Sequence, residues 1–129
     1  MTDKSNIVLK GKKVLVVDDN IMNRMVVNVI LIDFGVIVSE ASDGEQAVNF
    51  LKNNAYDLIL MDLKMPNLNG FQATEIIRKK MELTTPIIAL TANSLDDERE
   101  ECLELGMNYY LTKPFDRKVF IDVICNYIC

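Results

Sequence analysis

Five polar side chains in this sequence stand just behind short apolar runs. Asp18 and Asp19 follow Val14–Val17, Asp62 follows Leu58–Met61, Thr91 follows Ile87–Leu90, and Lys113 follows Tyr109–Leu111 after Thr112. Three carboxylates brought close together repel one another and disfavour joint ionisation, so such a set needs cations. Lys113 supplies one charge and a divalent metal would supply two more. The ligands would all be oxygen, which points to Mg²⁺, with Mn²⁺ as a substitute, and away from Zn²⁺. Mg²⁺ usually keeps several waters and combines one or two carboxylates with phosphate oxygens. The expected chemistry is therefore phosphoryl transfer rather than a closed structural cage.

Composition removes the competing chemistries. The chain has no histidine, so His triads, His-ligated metal sites and phosphohistidine chemistry are impossible within it. None of its five glycines (Gly11, Gly35, Gly44, Gly70, Gly106) falls in a phosphate-cradling G-x-x-x-x-G-K or G-x-G-x-x-G loop. Cys102, Cys125 and Cys129 are odd in number and lack a C-x-x-C, which reads as reduced thiols. A net charge of −5 argues against binding to a nucleic-acid backbone. No apolar run is long enough to span a membrane, and no secretory signal is recognisable. The expected location is cytoplasmic.

The elements that must position these residues alternate in kind. Apolar runs at Val14–Val17, Val36–Val38, Leu58–Met61, Ile87–Leu90 and Tyr109–Leu111 read as strands buried on both faces. Amphipathic stretches separate them. The first runs from after Asn20, a good N-cap, to Gly35, and the second from about Asp43 to Asn53. The third runs from near Asn69 to Arg78-Lys79-Lys80, cations suited to a helix C-terminus. The fourth runs from near Ser94 to Gly106, with Asp96, Asp97 and Glu98 suited to its N-terminus, and the fifth from about Phe115 to the end. Five β-α units in 129 residues predict one α/β domain with parallel strands and right-handed crossovers. Residues 1–11 are expected to form a flexible tail ahead of a domain over 12–129. Sites in an open parallel sheet form at the carboxyl ends of the strands, where all five polar residues fall. Taken singly, each suits a helix cap or a turn. Taken together, at four successive strand ends, they exceed what turn chemistry requires.

With these motifs in order, the chain resembles the receiver domain of two-component response regulators over about residues 12–129. V-L-V-V-D-D-N at 14–20 is similar to that family's acidic first strand end, and L-I-L-M-D-L-K-M-P-N-L-N-G at 58–70 to its phosphoacceptor strand and loop. I-I-A-L-T-A-N at 87–93 resembles its switch strand, and Y-Y-L-T-K-P-F at 109–115 its Lys-Pro turn. The resemblance implies a doubly wound, flavodoxin-like (βα)5 three-layer sandwich with strand order 2-1-3-4-5. It implies that Asp62 is the phosphoacceptor, and that Asp19, Asp18, Asp62 and the backbone carbonyl of Lys64 hold Mg²⁺. Lys113 would pair with the acceptor and then with the phosphate. Thr91 and Tyr110 would be the switch pair, and Lys113-Pro114 a cis-proline turn. Small Ala92 leaves room beside the phosphoryl group, and Lys64 and Asn93 are expected to tune phosphate lifetime by controlling water access.

The expected function is Mg²⁺-dependent transfer of a phosphoryl group from a partner phosphohistidine to Asp62, switching the surface made by helix four, strand five and helix five. Such a receiver is not a classical enzyme on its own. The first helix carries more apolar residues, from Ile21 to Phe34, than one core-facing stripe can hold. An exposed remainder would dock a histidine kinase or histidine phosphotransfer domain; the alternative is a wholly buried helix. A homodimer through the switch surface is a further expectation. L-x-G-K-K-V-L-V-V-D-D-N and M-D-L-K-M-P look like receivers attached to hybrid sensor histidine kinases, with a stand-alone response regulator as the alternative. A haloacid-dehalogenase-like phosphohydrolase is the remote rival, although that family places its nucleophile in a D-x-D after strand one. A phosphorylation-independent binding scaffold is the other.

Overall fold

The computed structural model describes residues 9–92, 96–113 and 116–128. Five parallel strands form one sheet in the order β2-β1-β3-β4-β5. They are β1 (Lys13–Val17), β2 (Ile37–Ala41), β3 (Leu58–Asp62), β4 (Ile87–Thr91) and β5 (Tyr109–Thr112). The helices are α1 (Ile21–Asp33), α2 (Gly44–Asn53), α3 (Gly70–Glu75, continued by a π-helical turn over Ile76–Lys80), α4 (Asp96–Leu105) and α5 (Arg117–Ile128). This is the doubly wound, flavodoxin-like arrangement that the resemblance implied.

Alternation along each strand sends successive side chains to opposite layers. Val14 and Val16 with Leu58, Leu60, Ile88 and Leu90 meet Val27 and Leu31 of α1 and Phe120 and Ile124 of α5. Leu15 and Val17 with Ile59, Met61, Ile87 and Ala89 meet Ala47 of α2, Ala73 and Ile77 of α3, and Cys102 of α4. Both faces of the central strands are covered, which explains their unbroken apolar runs. The outer strand β2 departs from that rule. It occupies Ile37–Ala41 rather than Val36–Val38 and is exposed at Ile37 and Glu40. An edge strand has a neighbour on one side only, so polar Ser39 and Glu40 fit a ladder that an apolar-run criterion cannot see.

Residues 9–11 belong to the packed domain and not to a loose tail. Leu9 is fully buried in the layer of α1 and α5, and the Gly11 N–H donates to the Gly35 carbonyl at 2.8 Å. One buried leucine anchors this stretch; the remainder of the expected tail, residues 1–8, lies outside the described residues. Gly35 itself has φ +80° and ends α1, where the Val36 N–H reaches back to the Leu31 carbonyl. Pro114 and Asn93 also lie outside the described residues.

The third helix differs from expectation in its last turn. The Met81 N–H bonds to the Ile76 carbonyl, widening the turn. Arg78 does not simply face the helix dipole there. Its guanidinium donates to the carbonyls of Gly106 (2.9 Å) and Leu83 (2.8 Å) and to Asn108 Oδ1 (3.1 Å). One side chain thus fastens the end of α3 to the α4–β5 junction.

Candidate functional site

Strand register assembles the site. Val17 pairs with Met61, Asp62 with Leu90, and Thr91 with Thr112. The residues that close or follow β1, β3, β4 and β5 therefore gather on one edge of the sheet. Carboxylate oxygens of Asp18, Asp19 and Asp62 lie within 4.8 Å of one another. Asp18 is buried, Asp62 half-buried and Asp19 exposed, so the cluster opens to solvent on the Asp19 side.

Asp18 is the most fully partnered of the three. Its Oδ1 accepts from the Asn20 N–H at 2.9 Å, and its Oδ2 accepts from Lys113 Nζ at 2.8 Å. Arg24, one turn into α1, donates to the Asp18 backbone carbonyl at 2.6 Å and to Glu40 Oε1 at 3.0 Å. Arg24 is not legible in the sequence, because its partners lie after β1 and on β2. Asn20 caps α1 as expected, its side chain accepting from the Asn23 N–H at 3.1 Å.

The Lys113 ammonium rests on Asp18 and not on Asp62, where the resemblance placed it. Its charge still reaches Asp62 and favours ionisation there, but burial and the Asp18 charge outweigh it. The Asp62 carboxyl is pushed up to about 6, first by burial and then by Asp18, against the opposing effects of Lys113 and a backbone hydrogen bond from Lys64. A carboxylate in this state is short of positive charge. A divalent cation among the three carboxylates would supply it, and the all-oxygen donor set suits Mg²⁺.

The loop after Asp62 is held from two sides. Gly70 begins α3 against the Asp62 carbonyl, where any Cβ would collide. Asn69 and Gln72 form a reciprocal capping box at the start of that helix. Asn67, at φ +64°, donates to Asp43 Oδ2 at 3.0 Å, and the Gly44 N–H donates to the Leu68 carbonyl at 2.9 Å. Lys64 is exposed at the mouth of the site.

Thr91 is buried, Tyr110 half-buried and Ala92 exposed. Thr91 Oγ1 and Tyr110 Oη each donate to Glu98 Oε1 at 3.2 Å. Burial, followed by the Glu98 charge, raises the Tyr110 phenol above its ordinary value. Sequence reading assigned Glu98 only to the helix start. The available signal was its place seven residues beyond Thr91, which alone does not identify a partner.

On α1, Ile21, Met22, Met25, Val26, Val29 and Ile32 are all more than half exposed, with Met22 at 64% and Val26 at 59%. The wholly buried helix is therefore excluded. No helix among the described residues is long and apolar enough to cross a membrane.

A family model for the response regulator receiver domain matches residues 14–125. The sensor protein GacS of Pseudomonas syringae pv. syringae is 40% identical over 119 residues, covering 89% of this chain and 13% of that protein. The sensor histidine kinase RcsC of Salmonella typhimurium is 40% identical over 123 residues, covering 95% of this chain and 12% of that protein. The chain thus spans about an eighth of the length of these relatives. Among solved structures, the receiver domain of sensor histidine kinase PA1611 from Pseudomonas aeruginosa PAO1 superposes with a TM-score of 0.83 at 42% identity. The match covers 92% of this chain and 98% of that one, and a magnesium ion is coordinated in its active site cleft.

Proposed function

The chain belongs to the response regulator receiver family, and from that premise we propose that it is the phosphoacceptor module of a two-component phosphorelay. A carboxylate oxygen of Asp62 attacks phosphorus, the P–N bond of a partner's phosphohistidine breaks, and the electron pair leaves on the imidazole nitrogen. The observation that carries this reading is the close approach of the Asp18, Asp19 and Asp62 carboxylates beside Lys113. Asp19, Asp18, Asp62 and the Lys64 backbone carbonyl would hold Mg²⁺, or Mn²⁺ in its place. The bound cation supplies positive charge beside the transferring oxygens. Lys113, already within the acid cluster, changes partner from Asp18 to the phosphoryl group.

A carboxylate attacking an anionic phosphoryl group needs those charges neutralised, which is why the acceptor sits among them. Thr91 and Tyr110 then respond to the new charge, and the surface of α4, β5 and α5 changes for its reader or for a second copy. A histidine kinase or histidine phosphotransfer domain docks on the exposed apolar face of α1, next to Asp62. The likeness to GacS and RcsC supports a place within a hybrid sensor kinase. A stand-alone regulator would carry the same site. The module alone is a substrate and switch rather than an enzyme with turnover.

The test is intact mass after incubation with Mg²⁺ and acetyl phosphate. One added phosphoryl group is expected in the wild type and none in Asp62→Asn or without Mg²⁺. An adduct that survives Asp62→Asn would overturn the assignment.

A further inference from the structure

Glu98 stands on the first full turn of α4, yet its carboxylate faces the sheet edge rather than open solvent. Its Oε1 accepts from Thr91 Oγ1 at the end of β4 and from Tyr110 Oη on β5, each at 3.2 Å. The Tyr110 phenol also lies in hydrogen-bonding reach of Thr91. One oxygen atom thus ties two strands to one helix. Thr91 directly follows Leu90, the register partner of Asp62, so its hydroxyl lies one residue from the acceptor's neighbour.

The geometry points to Glu98 as a latch: a positioning residue that holds Thr91 and Tyr110 in the resting arrangement and competes with a phosphoryl group on Asp62 for the Thr91 proton. The inference rests on the receiver reading of Asp62 and names what opposes its switch. A threonine hydroxyl carries one donatable proton. It satisfies either the Glu98 carboxylate or a phosphoryl oxygen, and not both. Hydrogen bonds to an ionised acceptor are about twice as strong as neutral ones, so Glu98 sets a real threshold. A phosphoryl group crosses that threshold with up to about two negative charges and three acceptor oxygens. Once Thr91 leaves, Glu98 keeps only part of its hold on β4 and β5, and α4 is freed with it. The latch therefore links the chemistry at Asp62 to the helix that carries the signal outward.

The probe is beryllium trifluoride, a phosphoryl mimic, titrated with saturating Mg²⁺ and followed by ¹⁹F NMR. Glu98→Ala is expected to tighten its binding about tenfold, and Glu98→Gln, a neutral acceptor, about threefold. Mg²⁺ affinity without the mimic stays within about twofold, which shows an intact fold and acid cluster. In a Thr91→Ala background, Glu98→Ala changes affinity less than about twofold, because the contested proton is gone. Unchanged or weaker binding in Glu98→Ala overturns the latch, as does equal tightening in the Thr91→Ala background. A wild type that takes up no beryllium trifluoride sinks the receiver reading and the latch together. A wild type that binds it beside variants that bind it equally sinks the latch alone.

Discussion

Asp43 caps α2 and at the same time braces the loop that follows Asp62. Its Oδ1 accepts from the Gln46 N–H at 2.8 Å as the N-cap of α2, while its Oδ2 takes Asn67. These bonds, the Gln46 one foremost, hold its carboxyl below the ordinary 3.8. A depressed folded pKa gives stability that is complete above the unfolded value and is lost as pH falls through the folded one. Asp43→Ala should cost about 1 kcal/mol in urea unfolding at pH 7, and its deficit against wild type should shrink as pH drops below 3.8. Asp43→Asn has one acceptor oxygen and keeps at most one of the two bonds, and because it cannot titrate, its deficit against wild type should likewise shrink below pH 3.8, which checks the assignment. Lys64 offers a separate test at this scale, since it is exposed and two residues beyond Asp62, where it would control water access to a phosphoryl group. Lys64→Ala should change the half-life of the aspartyl phosphate by about threefold or more, timed by mass; an equal half-life removes Lys64 from that role. Asp18, Asp19, Asp62, Thr91 and Lys113 were legible in the sequence because each follows an apolar strand. Glu98 and Arg24 were not, because a hydrogen bond across elements leaves no local spacing to read.

At the scale of elements, burial decided what could be read. Strands β1, β3 and β4 are covered on both sides and appear as unbroken apolar runs, and their ends shift by a residue or less from the sequence expectation. Strand β2, covered less, carries Ser39 and Glu40 and was read too short. The end of α3 falls on Arg78-Lys79-Lys80 as expected, but the role of Arg78 there is not legible in the sequence. Its three cations suggested a dipole interaction, whereas Arg78 turns inward to take two carbonyls and Asn108, and Asn108 Oδ1 in turn accepts from the Ile87 N–H at 2.9 Å. This network fixes the junction that precedes both β4 and β5. Arg78→Ala leaves the Gly106 and Leu83 carbonyls without a charged donor and should cost about 2–4 kcal/mol. Arg78→Lys, with one compact ammonium, cannot span three acceptors and should recover less than half of that. Urea unfolding of the two variants measures both numbers; an Arg78→Lys as stable as wild type would show that charge alone suffices.

Across the whole molecule, the two helical layers are unequal in what they leave uncovered. The layer of α1 and α5 buries Val27, Leu31, Phe120 and Ile124, yet α1 turns Ile21, Met22, Met25, Val26, Val29 and Ile32 outward. Arg117 ties the two helices together at one end, paired with Asp33 and stacked 5.6 Å from the Phe34 ring. The helix is thereby held by its inner stripe and its C-terminal end, which leaves the outer stripe without a role in stability. Isolated apolar residues on a surface are ordinary, but a contiguous stripe beside an acidic site marks a contact for a partner. The stripe begins at Ile21, two residues after Asp19 of the acid cluster, so a donor helix laid on it would lie beside that cluster. Met22→Asp and Val26→Lys should accordingly leave stability within about 0.5 kcal/mol of wild type and leave labelling by acetyl phosphate unchanged. The same substitutions should slow transfer from a phosphorylated histidine phosphotransfer domain by about tenfold or more, since central apolar anchors dominate such interfaces. Equal slowing with acetyl phosphate would place the defect in the acid cluster, and unimpaired transfer from the protein donor would move the docking surface off α1.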